Sequence, residues 1–157
     1  MQAIIAQIHK LLLKKQKTVA VAESCTGGLS SALLTQLSGS SRYFILGAVA
    51  YSNRVKVRVL YIPNTILAKH GAVSNTVARL MASQIRIISG ADLGLGITGI
   101  AGPTGGTPRK PVGTVFIAAV SKNRNICRKF NFRGSRTVVR KKAALKSLEL
   151  LKKVLQP

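Results

Sequence analysis

Thr18-Val-Ala-Val-Ala22, then Glu23-Ser-Cys-Thr-Gly-Gly28, then Leu29-Ser-Ser-Ala-Leu-Leu-Thr-Gln-Leu37 is the stretch whose reading decides the fold. The first five residues form a short apolar run of the kind a fully buried strand shows. A polar, glycine-containing turn follows. Residues 29–37 then read as a helix, ended by Ser38-Gly39. Upstream, residues 2–15 place apolar side chains at helical spacing with lysines on the other side.

Downstream, Tyr43 to Tyr51 reads as a second strand, and 53–60 and 63–69 as short helical pieces. Ser74 is a fitting N-cap for a long helix to Ser89, stopped by Gly90. Asp92 to Thr98 reads as the third strand. Residues 99–111 hold four glycines and three prolines and must be loop. Strands at 112–120 and 126–132 are separated by a short turn, which makes them antiparallel neighbours. Ser135 is placed to cap a last helix to about Leu155. Helices and strands alternate early and a hairpin comes late. That order predicts one α/β domain over residues 1–157, a three-layer α/β/α sandwich on a mixed, mostly parallel sheet.

Lys and Arg number 25 against three acids, Glu23, Asp92 and Glu149, a formal net charge of +22. Such a field attracts anions: phosphorylated small molecules, nucleic acid and acidic membranes. The cations are spread along the chain and are dense only from Arg133 to Lys153. A nucleic-acid module concentrates them more. A proteome of generally basic proteins is therefore preferred over nucleic-acid binding. Cys25 and Cys127 make no disulfide framework, and two histidines with three acids supply too few ligands for a metal site. No cofactor is implied. The N-terminal helix lacks a signal-peptide cleavage site, and the longest apolar run, 43–51, is too short to span a bilayer. A cytoplasmic protein without a membrane partner is the expectation.

Two segments stand out as candidate sites. In the first, Ser24 follows a strand and opens a helix, where unpaired N–H groups carry partial positive charge and suit an oxyanion. On spacing alone, an ordinary helix-capping serine with Gly27 and Gly28 present for packing accounts for it better. In the second, Gly-Ile-Ala-Gly-Pro-Thr-Gly-Gly at 99–106 lies in a long loop, and compact domains rarely keep a dozen structureless residues without a function. No Gly-Lys-Ser/Thr follows, so it is not a P-loop. The GxGxxG at Gly94, Gly96 and Gly99 lies inside a strand pattern and is read as chance. Lys56 would serve as a base if burial lowered its pKa, although a lone lysine is ordinarily a solvated surface residue. Cys25 lacks a histidine partner. His9 and His70 read as capping, packing or surface residues.

Taken together, Glu23 to Gly28, Gly39-Ser40-Ser41, Tyr51-Ser52-Asn53 with Lys56, residues 70–74, Gly99 to Pro103 and Lys110 to Thr114 come in the order and spacing of the nicotinamide-nucleotide amidases, the CinA C-terminal domain family. The resemblance covers nearly the whole chain. Many relatives carry an extra N-terminal domain, and this stretch resembles their amidase part.

The resemblance implies hydrolysis of nicotinamide mononucleotide to nicotinate mononucleotide and ammonia, in pyridine-nucleotide salvage. It implies catalysis by Ser24, Ser41 and Lys56, with Ser41 relaying the proton. It further implies substrate contacts from Thr26, Gly27, Gly28, Tyr51, Thr98, Gly99, Gly102 and Gly105, oxyanion donors among the N–H groups of Cys25 to Gly28, and a phosphate held by Arg136 or Arg140. Self-association of the chain is implied as well.

The chain departs from the family pattern at Thr104 and Arg109, where relatives commonly carry acids, and at Gly134-Ser135-Arg136, which lacks one. Two other readings compete. One is a catalytically weakened relative that binds nucleotides or nucleic acid through its basic surface. The other is an enzyme using the Cys25 thiol.

Overall fold

The strand that opens the fold is β1, Val19–Glu23, fully buried and flanked on both sides by parallel partners in the computed structural model, which describes residues 2–156. Its neighbours are β2 (Phe44–Val49) and β3 (Leu93–Gly99). Beyond β3 lie β4 (Thr114–Val120) and β5 (Asn125–Asn131), both paired antiparallel, so the sheet order is β2-β1-β3-β4-β5. The sheet is mixed: two parallel and two antiparallel pairings, with β4 alone running against the other strands.

Six α-helices cover it: α1 (Gln2–Lys15), α2 (Leu29–Leu34), α3 (Asn53–Leu60), α4 (Asn64–His70), α5 (Asn75–Ser89) and α6 (Arg136–Leu155). Ile5, Ile8 and Leu12 of α1, Leu34 of α2 and the buried stripe of α6 from Val139 to Leu155 share one core with β1 and β3. Leu60, Leu67, Val77, Met81 and Ile85, from α3, α4 and α5, form a second core with Ala20 and Ala22 of β1. Alternate side chains of β1 thus enter opposite layers, and the chain is a three-layer α/β/α sandwich. No helix among the described residues is long and apolar enough to cross a membrane.

The helix ends follow their side chains. Ser74 caps α5 by accepting the Val77 N–H at 3.3 Å, and Gly90 ends it in the left-handed conformation. Two expectations shift. Helix α2 stops at Leu34 rather than Leu37, because the Thr35 hydroxyl donates back to the Ser31 and Ala32 carbonyls, the local competition typical of threonine. Ser135 occupies the N-cap of α6 but its hydroxyl makes no cap bond. The GxGxxG glycines have a packing reason. A Cβ on Gly94 would lie 2.0 Å from the Ala82 carbonyl oxygen and one on Gly96 2.3 Å from that of Ala78, so α5 seats its backbone directly on β3.

β1, β2 and β3 are parallel, so their C-terminal ends share one edge. From β1 the chain crosses to β2 through α2 on one face. It then returns to β3, on the other side of β1, through α3, α4 and α5 on the opposite face. Such a reversal of strand order makes the carboxyl end of β1 the switch point where open α/β sheets form their ligand crevice. Ser24 is the first residue beyond that end.

Candidate active site

Ser24 is held by its backbone. Its N–H donates to the Ile97 carbonyl at 2.9 Å, and its own carbonyl accepts the Gly27 N–H at 3.1 Å. Gly27 and Gly28 take positive φ of 59° and 96°, which only glycine adopts without strain, so the chain reverses into α2 within four residues. Ser24 is left 8% exposed just beyond the carboxyl end of β1.

Lys56 enters from α3. Ser52 caps that helix, accepting the Val55 N–H at 3.2 Å, and Lys56 lies one turn on. Its side chain points inward, and the residue is 1% exposed. Nζ lies 2.8 Å from the Ala50 carbonyl, 3.2 Å from the Tyr51 carbonyl and 3.2 Å from Ser24 Oγ. Burial pushes the lysine pKa down, with a smaller opposing pull from Cys25. A neutral amine has two N–H donors and one lone pair. The two carbonyls only accept, so both N–H groups go to them and the lone pair is left for the Ser24 hydroxyl proton. The same position suits the ammonium, with three donors for three acceptors.

Ser41 is not part of this group. It lies exposed in the single 3-10 turn Ser40–Arg42 that leads into β2, and β2 runs parallel to β1 with Phe44 opposite Val19 and Val49 opposite Glu23. Ser41 therefore sits at the other end of the sheet from Ser24. The expected Ser41 relay is corrected: Lys56 reaches Ser24 directly.

The other expected contacts divide. Tyr51 stands exposed, its hydroxyl accepting from Arg136 at 2.6 Å, while the same guanidinium donates to the Gly102 carbonyl at 2.8 Å. This bridge joins the end of β2, the glycine loop and the start of α6. Arg140 donates to the Thr26 carbonyl at 2.9 Å, and its NH2 would lie 3.1 Å from a Cβ on Gly27. Arg136 and Arg140, one turn apart, thus both converge on the crevice.

Thr26 lies inside the turn. It is fully buried, and its hydroxyl is the one buried side-chain polar atom among the described residues without a partner. The Thr98 hydroxyl is also buried and donates to the Ala72 carbonyl at 2.8 Å, which pins the 71–74 turn to β3. Gly99 allows close approach of Val115, and Gly105 lies exposed in the loop.

The oxyanion expectation narrows for a physical reason. The Gly27 N–H is taken by the Ser24 carbonyl and the Gly28 N–H by Glu23, which leaves the N–H groups of Cys25 and Thr26 as the donors of the turn without a protein acceptor.

The Cys25 thiol is pushed up to about 12, mainly by burial, so it stays protonated at neutral pH and is a poor nucleophile. His9 packs edge-on against Tyr43 with ring centroids 5.6 Å apart, and His70 ends α4. Neither histidine serves the turn.

Sequence reasoning missed Glu23. It is fully buried and accepts from the N–H groups of Gly28, Ser30 and Ser31 and from the Ser31 hydroxyl. The signal was present: one of only three acids in a strongly basic chain stands beside the serine.

Among the described residues, no three His, Cys, Asp or Glu side chains converge to hold a metal. A concavity of about 320 Å³ lined by Lys15, Lys17, Asp92 and Lys122 lies at the opposite end of the sheet and holds no nucleophile.

Comparison with known proteins bears on this geometry. The family model of the CinA C-terminal domain matches residues 1–155. A CinA-like protein from Syntrophus aciditrophicus is 51% identical over 149 residues, covering 94% of this chain and 36% of that protein. A CinA-like protein from Citrifermentans bemidjiense is 49% identical over 145 residues, 92% of this chain and 35% of that protein. The chain thus spans about a third of the length of these curated relatives. Among solved structures, the competence/damage inducible protein CihA from Agrobacterium tumefaciens superposes with a TM-score of 0.96 at 34% identity, over 98% of this chain and 94% of that one. The competence damage-inducible protein A (ComA) from Klebsiella pneumoniae gives 0.93 at 31% identity, over 98% and 95%.

Proposed function

The chain belongs to the CinA C-terminal domain family, and from that premise we propose that it hydrolyses the carboxamide of nicotinamide mononucleotide to nicotinate mononucleotide and ammonia. The observation that carries the reading is the buried contact of 3.2 Å between Lys56 Nζ and Ser24 Oγ.

The chemistry follows from the two side chains. Lys56 in its neutral form takes the Ser24 proton as Oγ attacks the amide carbon. The carbonyl oxygen becomes an oxyanion, for which the N–H groups of Cys25 and Thr26 are the unpaired donors of the turn. The ammonium of Lys56 then gives its proton to the leaving nitrogen, the C–N bond breaks, and ammonia departs from an ester on Ser24. Water enters, Lys56 takes its proton, the ester C–O bond breaks, and Ser24 regains its hydrogen as the acid leaves.

The anionic end of the substrate is assigned to Arg136 and Arg140, whose planar forks match a phosphate. The exposed Tyr51 ring beside them is assigned to the pyridinium, whose positive charge an aromatic face attracts. Burial of Lys56 supports its role as base, since desolvation disfavours the ammonium and makes the neutral amine easier to reach.

The experiment is ammonia release from nicotinamide mononucleotide by the wild type beside Ser24→Ala. Release that vanishes in a folded variant supports the amidase. No release from a folded wild type overturns it and favours a nucleotide-binding relative.

A further inference from the structure

Glu23 precedes the nucleophile, and in a chain of +22 its carboxylate lies wholly inside. Oε2 accepts the N–H groups of Gly28 at 3.1 Å and Ser30 at 3.0 Å. Oε1 accepts the Ser31 N–H at 2.8 Å and the Ser31 hydroxyl at 2.7 Å. Four donors face two oxygens. The first N–H groups of α2 are therefore consumed from inside the protein, by the residue at the end of β1. The Glu23 backbone is fixed too, its carbonyl accepting the Ala50 N–H at 2.8 Å. Ala50 in turn offers its own carbonyl to Lys56.

A second observation comes from the edge strand. Gly47 of β2 would carry a Cβ 2.7 Å from Ser31 Oγ and 3.3 Å from Ser31 Cβ. A glycine weakens a strand interior and marks a close approach. Here the approach is that of the side chain that donates to Glu23. Behind it, the Ser147 hydroxyl of α6 donates to the Ala144 carbonyl and lies 3.2 Å from Ser30 Oγ, so α6 packs on the same turn of α2 without touching the carboxylate.

We propose that Glu23 is a positioning residue for Ser24. Its side chain clamps both ends of the 24–28 turn, from the last residue of β1 to the first turn of α2, and so holds Ser24 Oγ on Lys56. This rests on the reading of Ser24 as nucleophile and adds to it what aims the hydroxyl. An amide at position 23 cannot replace the carboxylate. Whichever end carries NH2 then faces a backbone N–H, donor against donor.

The test reads Ser24 nucleophilicity directly, without the amide substrate. A fluorophosphonate phosphonylates an activated serine: the Oγ–P bond forms, the P–F bond breaks, fluoride leaves and the serine proton passes to Lys56. Labelling at Ser24 is followed by intact mass on the whole chain, with circular dichroism and Tm alongside. Glu23→Gln is expected to slow labelling by about 100-fold, the scale of an ångström of misplacement. Ser31→Ala and Gly47→Ala are expected to slow it less, and Ser147→Ala not at all.

Should Glu23→Gln not fold, Ser31→Ala carries the test by the same slowing at an unchanged fold. Labelling at the wild-type rate in both folded variants overturns the proposal. So does a loss that Ser147→Ala matches, because the effect is then a general disturbance of the α2 region and not a property of the Glu23 carboxylate. A wild type that labels at Ser24 yet releases no ammonia overturns the amide substrate and leaves the role of Glu23 intact.

Discussion

Lys56 Nζ lies 3.2 Å from Ser24 Oγ although 32 positions separate the two residues, and both side chains are buried. One residue follows directly on the end of a strand and the other sits a turn into a helix on the next crossover. Their meeting depends on β2 lying parallel to β1, so that the end of β2 delivers α3 to the end of β1.

Removal of either side chain is expected to stop the reaction by different routes. Ser24→Ala should lower ammonia release at least about a thousandfold with an unchanged Tm. Lys56→Met, which keeps the buried volume, should lower it by about 10²–10⁴. It should also cost about 1–3 kcal/mol of stability, because the Ala50 and Tyr51 carbonyls lose their donor. Steady-state kinetics beside thermal melts check both.

Ser41→Ala is expected to leave kcat/KM at the wild-type value and stability within about 0.5 kcal/mol, since Ser41 is exposed at the far end of the sheet. A large loss of kcat in this variant would return Ser41 to the mechanism.

The pH profile should report Lys56. The folded pKa is lowered from the ordinary 10.5 by burial, so the folded chain holds this proton more weakly than the unfolded one. Stability from this group is therefore lowest where the amine is charged in both states, and it rises with pH from the lowered value towards 10.5. Activity needs the neutral amine, so kcat/KM climbs with pH and levels off past a midpoint below 10.5. A midpoint at the ordinary lysine value would remove Lys56 as the base.

Cys25→Ala should retain ammonia release, and maleimide should modify Cys25 slowly at neutral pH, because burial pushes its thiol up to about 12. Loss of activity on brief thiol modification, or in this variant at full Tm, would instead support a thiol enzyme.

Gly94→Ala should cost about 3 kcal/mol, a fall in Tm on the order of 6–12 °C. Its Cβ would meet the Ala82 backbone carbonyl at 2.0 Å and push α5 off β3. Calorimetry measures this directly.

Much of the architecture was legible because its signals are local. Ser74 and Gly90 bracket α5 through contacts three residues or fewer away. The 99–111 loop declares itself by glycine and proline. The β4–β5 hairpin follows from a short turn between apolar runs. The boundaries that moved did so for side-chain reasons, as where the Thr35 hydroxyl ends α2 three residues early. The candidate site was legible as a set of motifs and less so as geometry. Ser24, Lys56, Tyr51, Arg136 and Arg140 converge, whereas Ser41 lies at the other edge and Thr26 faces inward.

By itself the sequence determined where helices, strands and turns form, that they alternate as an α/β sandwich, and which residue types stand beside the Ser24 turn. Hydrophobic period, capping and turn chemistry act over a few residues and need no knowledge of the rest of the chain. Only the tertiary structure decided which polar groups meet. Strand order and direction placed Lys56 on Ser24 and kept Ser41 away. Burial, which depends on every layer at once, lowered the lysine and raised the Cys25 thiol. The same closure of the layers turned Glu23 from one acid among many cations into the acceptor that ties β1 to α2.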